Sequence, residues 1–314
     1  MRRAEVLQGR VAIVTGGARG IGLAISEHLI AAGASVVIAD NGTSVDGEGE
    51  DASVTTSAAA RLGPRALSFT MSIASPDAAA AVVRLAQERC GGLDILINNA
   101  AILRDGFVFK SRPVDWDRVL STNLAAAYYM MNAATPLMRQ QSKDNRAGPV
   151  YEWGRIVNIT STAGLYGNFG QAAYASAKAG LFGLTRVGAM DLARAGVTCN
   201  AIAPFAATRV TAMINPANEA QAEYKARALK VSPDHVAAVV TWLCSPAARH
   251  VSGQLFGVRG REIFLFSQPR PIAQLVRDPQ WDDTQLATAI EGALQHAFTD
   301  LTTDLENFNS EPVL

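Results

Sequence analysis

Tyr174 and Lys178 lie four residues apart in a stretch of helical periodicity, and together they could carry out acid–base chemistry. Side chains four apart lie on one face of a helix. A phenol has a pKa of about 10 and is a weak base at neutral pH, but a neighbouring ammonium favours the phenolate. Tyr174 could therefore take a proton from an alcohol and return one to a ketone. Since this spacing is common by chance, the surrounding residues must decide.

Ser161 and Asn123 are polar residues placed where they could assist this pair. Ser161 follows the apolar run 155–160, and ligands of α/β sheets bind beyond the carboxyl ends of strands. Its hydroxyl could hold a substrate oxygen. Asn123 lies within a helical pattern, where a short amide is mildly unfavourable. It could hold a water molecule near Lys178 for proton relay.

A glycine-rich turn near the start of the chain could bind the phosphates of a dinucleotide. The apolar run 11–15 leads into this turn and a helical pattern follows it, as such a site requires. Glycines allow positive φ and a close approach of backbone N–H groups to a pyrophosphate, and a helix N-terminus favours an anion. The candidate contacts are Gly16, Arg19, Gly20, Ile21 and Gly22.

Asp40, at the end of the second apolar run, bears on which dinucleotide is bound. A carboxylate there would accept hydrogen bonds from ribose hydroxyls and repel a 2′-phosphate, which favours NAD over NADP. Arg19 acts in the opposite direction, because its guanidinium could pair with that phosphate. No second basic residue follows Asp40, so we predict NAD. The alternative interpretation of Asp40 is a solvated acid at the end of a strand.

The elements that would position these residues alternate between short apolar runs and Ala-rich helical segments. The runs are continuous, as in a parallel sheet covered on both faces, and predict strands at 11–15, 36–39, 67–69, 95–97, 156–159 and 198–202. The helical patterns cover 21–32, 54–62, 77–88, 114–139 and 172–195. This alternation predicts an α/β fold with right-handed βαβ units in a doubly wound, Rossmann-like parallel sheet.

Three segments interrupt this alternation. Residues 41–51 are rich in glycine and acidic residues and predict a solvated loop, while 140–153 predict a surface insertion. We divide the chain into a dinucleotide-binding catalytic domain, 1–260, and a C-terminal extension, 261–314, packed on the same domain or on a neighbouring subunit. Within the extension we expect a strand at 261–266, a helix at 283–301, and apolar anchors at Phe264, Phe266, Trp281 and Phe308.

The composition of the 314 residues limits the class of protein. With 49% hydrophobic residues the chain can form a large core, and a formal net charge of zero gives no reason to expect a nucleic-acid or membrane partner. Cys90, Cys199 and Cys244 share no metal-ligand spacing, so we expect no metal site and a reducing, cytoplasmic location. No signal peptide or membrane span is predicted.

Taken together, these motifs resemble the short-chain dehydrogenase/reductase family. They run in order between residues 7 and 257: the turn 15–22, Asn98-Asn99-Ala100, Asn123, Ser161, Tyr174 with Lys178, and Ile202-Ala203-Pro204. The resemblance implies an enzyme with four catalytic residues, namely Asn123, Ser161, Tyr174 and Lys178. It also implies that Lys178 binds the nicotinamide ribose and that Asn98 and Ala100 line the cofactor cleft.

The resemblance completes the predicted cofactor site with Ser72, Ile73, Tyr174, Lys178 and Pro204. Ser72 and Ile73 stand where the family often has an Asp-Val pair for the adenine. Ala101 stands where the family usually has glycine. These two departures bear on cofactor affinity and leave the chemistry intact.

A finer resemblance concerns the substrate. The segments 41–51, 102–105, 164–171 and 202–211 are similar to those in the dehydrogenase unit of peroxisomal multifunctional enzymes and its free-standing bacterial relatives. This implies a (3R)-hydroxyacyl-CoA or a 17β-hydroxysteroid, and thus lipid or steroid metabolism. Candidate pocket residues, with plain loop packing as the alternative, are Leu165, Tyr166, Phe169, Phe205 and Met213. Arg104 and Arg209 could meet a CoA phosphate or form surface salt bridges.

Two other functions remain open from the sequence. One is an NADP-dependent ketoreductase for carrier-bound 3-oxoacyl chains, which Arg19 supports and Asp40 opposes. The other is a non-catalytic dinucleotide sensor, which is disfavoured because all four candidate catalytic residues are present. The family resemblance also implies a homo-oligomer that acts on a small molecule. A dimer is favoured over a tetramer, because the extension could cover one tetramer face.

Overall fold

An eight-stranded sheet forms the centre of the protein, whose computed structural model describes residues 6–146, 154–212, 219–276 and 283–314. The strands follow one another in the chain as β1 (Val11–Thr15), β2 (Ser35–Ala39), β3 (Ala66–Phe69), β4 (Ile95–Asn98), β5 (Arg155–Ile159), β6 (Thr198–Phe205), β7 (Leu255–Arg259) and β8 (Glu262–Leu265). Their order across the sheet is β3-β2-β1-β4-β5-β6-β7-β8. Neighbouring strands are parallel except for β8, which is antiparallel to β7. The predicted doubly wound sheet is confirmed.

Helices connect the strands and cover both faces of the sheet. In chain order they are α1 (Gly20–Ala31), α2 (Ala52–Leu62), α3 (Pro76–Cys90), α4 (Pro113–Leu120), α5 (Ala126–Lys143), α6 (Ala163–Tyr166), α7 (Ala172–Leu192), α8 (Arg209–Ala212), α9 (Glu219–Ala228), α10 (Asp234–Cys244), α11 (Asp283–Ala293) and α12 (Asp304–Asn307). Among the described residues, no helix is long and apolar enough to cross a bilayer.

Alternate residues of each central strand enter two separate apolar clusters. Val14 of β1 packs on the face that carries α1 and α10, whereas Ile13 packs on the face that carries α3 and α5. In β4, Ile97 and Leu96 divide in the same way. Because both faces are buried, successive positions of these strands are apolar up to their polar ends, Thr15 and Asn98, and this is why the sequence shows continuous runs.

The main differences from the sequence prediction concern three elements and one missed strand. The predicted helix 114–139 is divided by a π-helical turn, Ser121–Ala125, between α4 and α5. The predicted helix 283–301 ends at Ala293 and is followed by a short 3-10 turn, Gln295–Ala297. Strand β6 continues past residue 202 to Phe205, since β7 pairs with it there after the pairing with β5 has ended. Strand β7 itself was missed.

The insertion predicted at 140–153 is helical as far as Lys143, where α5 ends. Residues 147–153 lie outside the described residues. Of the predicted insertion, the first four residues belong to α5, which continues beyond its predicted end at 139.

The last residues of the chain, 303–314, form a segment that we call the C-terminal tail. Phe308 is 8% exposed, and its ring packs against Phe205 (4.7 Å between centroids), Phe264 (5.5 Å) and Tyr166 (5.9 Å). Arg259 Nη1 donates to the Phe308 carbonyl at 2.9 Å. The tail therefore docks where β6, β7 and β8 lie together. Trp281, another expected anchor, lies outside the described residues.

Replacing Phe308 with alanine should weaken this docking by about 3 kcal/mol, the usual cost of removing a buried phenyl ring. We expect amide hydrogen exchange in 303–314 to become about 100-fold faster, because local opening then costs less. Phe298→Ala is the matched control, since Phe298 is in the same extension but 64% exposed. Equal exchange rates in the two variants would show that Phe308 does not anchor the tail.

Candidate active site

A cleft of about 640 Å³ opens where the parallel strands β1, β4, β5 and β6 reach their carboxyl ends. This is the edge at which doubly wound sheets bind ligands. The glycine turn lines the cleft, and so do Ser161 and the Tyr174–Lys178 pair. The fold therefore brings the predicted phosphate-binding and acid–base residues into one continuous space.

The glycine turn has the shape that a pyrophosphate site needs. Gly16 has a φ of 61°, and a Cβ there would lie 2.9 Å from Ala100 Cα. A Cβ on Gly22 would collide with the Gly16 carbonyl oxygen. Helix α1 begins at Gly20 with no side-chain cap and no acidic residue in its first turn. Its first N–H groups can therefore bind an anion, so the residues present fit the diphosphate of a dinucleotide.

Asn99 holds this turn against the end of β4. Its Nδ2 donates to the carbonyl oxygens of Thr15 (2.9 Å) and Gly16 (3.0 Å), and its backbone N–H donates to Thr15 Oγ1 (2.9 Å). Asn98, which we predicted to line the cleft, is buried behind it and donates to Asn158 Oδ1 at 2.8 Å. Its side chain follows the alternation of β4 into the interior, so Asn99 lines the cleft in its place.

Asp40 lies at the end of β2 with both carboxylate oxygens hydrogen-bonded. Oδ1 accepts from the Gly42 N–H (2.9 Å) and Oδ2 from the Ala18 N–H (3.3 Å). The Arg19 guanidinium is 3.8 Å from Oδ1 and donates to the Thr43 carbonyl at 2.6 Å. Arg209 donates to the same carbonyl at 3.4 Å. One carboxylate and two guanidiniums thus meet at this end of the cleft.

The other predicted cofactor residues also line the cleft. They are Arg19, Gly20, Ile21, Ser72, Ile73, Ala100 and Pro204. Ser72 and Ile73, the departures from the family pattern, face the same space as Asp40. Arg104, by contrast, is held by Glu48 and by Asp115 at 2.7 Å, which agrees with the salt-bridge interpretation of that residue.

Tyr174 and Lys178 lie one turn apart on α7. Lys178 is 2% exposed, its Nζ donates to the Ile159 carbonyl at 2.8 Å, and it lies 5.6 Å from the centroid of the Tyr174 ring. Burial lowers the pKa of Lys178 to about 8. The pKa of Tyr174 is raised to about 12, chiefly by burial; Ser161 acts to lower it, and the charges of Asp304 and Asp105 add to the increase. The phenol therefore keeps its proton at neutral pH unless more positive charge is brought beside it.

Ser161 and Thr160, which follow β5, connect the sheet to the helix that carries Tyr174 and Lys178. Ser161 follows the end of β5, its Oγ accepts from the Ala163 N–H at 3.2 Å, and its hydroxyl acts on Tyr174 in the direction that lowers the pKa of the phenol. Thr160 Oγ1 donates to the Lys178 carbonyl at 2.7 Å. These contacts join β5 to α7 on either side of the reacting groups, so the three side chains keep one geometry.

The amide of Asn123 is hydrogen-bonded to the backbone of Ile102. Its Oδ1 accepts from the Ile102 N–H (2.8 Å) and its Nδ2 donates to the Ile102 carbonyl (2.9 Å), so it holds the segment after β4. A separate cavity of about 10 Å³ beside it is lined by Asn123, Lys178 and Thr122. That volume is close to the minimum for one water molecule. The two bonds leave one lone pair and one N–H of the amide unused, so the role of Asn123 in holding a water molecule near Lys178 stays a prediction.

The predicted substrate residues divide into two groups. Phe169 and Phe205 line the cleft, but Leu165 and Tyr166 do not. The Tyr166 ring packs on Phe308 of the C-terminal tail, and its hydroxyl accepts from Asn307 at 3.1 Å. Tyr166 is the last residue of α6, and its side chain lies against the tail instead of the cleft. Met213 lies outside the described residues.

The sequence analysis missed several residues that line the substrate half of the cleft, namely Asp105, Phe107, Tyr224, Asp304 and Leu305. They come from segments without a catalytic motif. Residues 303–306 do fit the capping-box pattern, and Thr303 and Glu306 form that box at the start of α12. The pattern reports where a helix begins, however, and not where the helix docks.

Comparison with known proteins identifies the family. The family model for short chain dehydrogenases matches residues 10–222. This chain belongs to the short-chain dehydrogenase family. A solved short-chain dehydrogenase from Mycobacterium avium has the same fold, with a TM-score of 0.80 and 35% identity, and the match covers 95% of this chain and 99% of that one.

Among relatives of this short-chain dehydrogenase, hydroxyacyl-CoA dehydrogenase ChsB1 of Mycobacterium tuberculosis is 37% identical and matches 90% of this chain and 88% of that protein. The 3-oxoacyl-(acyl-carrier-protein) reductase FabG of Aquifex aeolicus is 37% identical, and the match covers 81% of this chain and 97% of that protein. Peroxisomal multifunctional enzyme type 2 of Mus musculus is 31% identical over 86% of this chain but 34% of that protein. The chain is therefore an oxidoreductase of a family that uses nicotinamide dinucleotides, and its predicted likeness to hydroxyacyl-CoA dehydrogenases is confirmed.

Replacing Lys178 with methionine should stabilise this short-chain dehydrogenase while removing its acid–base pair. Since the pKa of Lys178 falls from 10.5 to about 8 on folding, the buried ammonium destabilises the fold below pH 8. We expect the variant to gain about 3 kcal/mol in free energy of unfolding at pH 7. The gain should shrink as the pH rises from 8 towards 10.5 and the wild-type amine becomes neutral.

Urea denaturation between pH 6.5 and 10 measures this difference, with Lys143→Met as the control because Lys143 lies at the end of α5. A variant that is less stable than wild type at pH 7, by an amount independent of pH, would contradict the prediction. It would mean that the hydrogen bond to Ile159 outweighs the burial of the charge.

Proposed function

We propose that this enzyme is an NAD-dependent dehydrogenase that interconverts a secondary alcohol and a ketone on a bulky apolar substrate. A (3R)-hydroxyacyl-CoA is the first candidate and a 17β-hydroxysteroid the second. The observation that carries the proposal is the Ser161–Tyr174–Lys178 arrangement beside a cleft with phenylalanine in its wall. The relation to hydroxyacyl-CoA dehydrogenase ChsB1, which extends over most of both chains, supports the choice of the acyl-CoA.

In this proposal Ser161 and Tyr174 together hold the substrate oxygen. The phenol takes the hydroxyl proton during oxidation and returns it to the carbonyl oxygen during reduction. When bound, a nicotinamide dinucleotide supplies the hydride acceptor and, in its oxidised form, a positive charge near the phenol. Lys178 adds its own positive charge from beneath the ring, and both charges offset the effect of burial on the Tyr174 pKa.

Residues of this chain have the positions needed to hold the dinucleotide. The turn at Gly16 and the start of α1 would bind the diphosphate, and Asp40 would bind the adenosine ribose. Ser72 and Ile73 would flank the adenine. Lys178, which lies beside Tyr174, would also bind the nicotinamide ribose.

The choice of NAD rests on Asp40. Its two backbone hydrogen bonds fix the carboxylate in the cleft wall, where it would repel a 2′-phosphate. Arg19 and Arg209, which meet at the Thr43 carbonyl, favour the second candidate function, an NADP-dependent reductase of 3-oxoacyl groups. The relative FabG is, by name, a reductase of 3-oxoacyl groups on the acyl carrier protein.

Fluorescence titration with NADH and NADPH tests the cofactor proposal. Wild type should bind NADH at least about 10-fold more tightly, because the 2′-phosphate would face a fixed carboxylate. Asp40→Ser should narrow this ratio about 10-fold or more, since Arg19 and Arg209 then act without opposition. Glu50→Gln, an exposed acid of the same loop, should leave the ratio unchanged. If wild type prefers NADPH, the ketoreductase becomes the better proposal.

Tyr174→Phe tests the acid–base step. The rate of NADH formation from a (3R)-hydroxyacyl-CoA or estradiol should fall by about 10²–10⁴-fold, the usual contribution of a general acid–base group. NADH should still bind with wild-type affinity, because the glycine turn and Asp40 remain. Tyr128→Phe, at an exposed position of α5, serves as the control. An unchanged rate in Tyr174→Phe would exclude the mechanism.

A further inference from the structure

The C-terminal tail brings a buried carboxylate into the substrate half of the cleft. Asp304, the first residue of α12, is 6% exposed and lines the cleft together with Leu305. Thr162 Oγ1 donates to its Oδ2 at 2.8 Å. Within the described part of the chain, Oδ1 is buried and has no hydrogen-bond partner. Leaving such an atom unpaired is costly, which marks Asp304 as a residue that serves the cleft rather than the fold.

Asp304 lies close enough to Tyr174 for their charges to interact. Thr162, its partner, is the residue after Ser161. The negative charge of Asp304 contributes to the raised pKa of Tyr174, and Asp105 contributes in the same direction. Asp105 also lines the cleft, where its Oδ2 accepts from Gln171 Nε2 at 3.1 Å. Two carboxyl groups from distant parts of the sequence therefore act on the catalytic phenol, and burial raises the pKa of each of them.

Positive charge in the cleft is placed elsewhere. The described residues that line it include three basic side chains, Arg19, Arg209 and Lys178. The two arginines contact Thr43 at the Asp40 end, and Lys178 lies beneath Tyr174, where it donates to the Ile159 carbonyl. Apart from Lys178 beneath Tyr174, no arginine or lysine of the described lining lies in the substrate half with Asp105 and Asp304.

We propose that Asp304, supported by Asp105, makes the enzyme discriminate against free hydroxy acids and accept substrates that are neutral around the reacting carbon, such as thioesters and esters. A 3-hydroxy acid held at Tyr174 carries its own carboxylate, which a single methylene group separates from the reacting carbon. Binding it would place a further negative charge near the exposed Asp105 and the buried Asp304, and like charges repel, most of all beside the buried one. A thioester carbonyl at the same position carries no charge.

This inference rests on the proposed function and narrows its substrate class. An acyl group must reach the enzyme as a thioester or another neutral derivative. The reaction that supplies the substrate is therefore one that acts on activated acyl groups, and not one that releases the free acid.

The experiment compares (R)-3-hydroxybutyrate with its methyl ester, two alcohols of similar size that differ in charge. For wild type, kcat/KM with NAD should be at least about 100-fold higher for the ester, as expected for repulsion by two nearby carboxylates. Asp304→Asn, which keeps the shape of the side chain, should lower that ester-to-acid ratio about 10-fold. Asp105→Asn should lower it as well, and it keeps the test decisive if Asp304→Asn undocks the tail.

Asp300→Asn is the matched control, because Asp300 is an exposed acid of the same extension, and its ratio should equal that of wild type. A ratio that stays within about twofold of wild type in both test variants overturns the inference, and so does a wild-type preference for the free acid. Neither result touches the proposed function, because both alcohols would still be oxidised. If the enzyme oxidised none of the four alcohols, namely (R)-3-hydroxybutyrate, its methyl ester, 3-hydroxybutyryl-CoA and estradiol, the proposed function would instead be rejected.

Discussion

The ammonium group of Lys178 is buried against the end of β5, and its hydrogen bond to the Ile159 carbonyl sets how α7 crosses the sheet. Thr160 returns a bond to the Lys178 carbonyl, so the helix and the strand are joined twice at one point. Tyr174 and Ser161 take their positions from that junction. The same burial that fixes the geometry makes the charge costly, which is the usual exchange of stability for function at an active site.

Electrostatics then divide the cleft into regions. At one end the start of α1 is suited to an anionic diphosphate, and Asp40 stands beside it, suited to neutral hydroxyls. At the other end two carboxylates surround a phenol that must sometimes lose its proton. The pKa of Tyr174 is thus held high when the cleft is empty. Loss of its proton is favoured only when positive charge is brought beside it, so the base is formed where it is used.

The sequence predicted those parts of this arrangement that depend on residues close together in the chain, and missed most of those that depend on distant ones. The strands β1 to β6 were found because burial on both faces leaves continuous apolar runs, and the glycine turn because its shape demands small residues. Strand β7 was missed, since Gly257 and Arg259 break its apolar pattern. The π-helical turn was missed because one inserted residue hardly alters a helical period.

The substrate half was the hardest to predict, since its walls come from distant parts of the chain. Tyr166 turns towards Phe308, a residue 142 positions later, and no local pattern encodes that choice. Asp304 reaches the cleft only because Phe308 docks the tail beside it. Catalytic motifs are local and recur as strings of residues, whereas the surroundings of the substrate depend on how remote segments pack.

The docked tail has a consequence for the order in which the molecule is assembled. Asp304 meets Thr162 across 142 positions of sequence. The βαβ units that hold the dinucleotide are made of near neighbours and can form early, while closing so long a loop is slow. During folding, the nucleotide end of the molecule is therefore ready before the substrate end is enclosed. The carboxylate that we propose to select the substrate then joins the cleft after the dinucleotide site has formed.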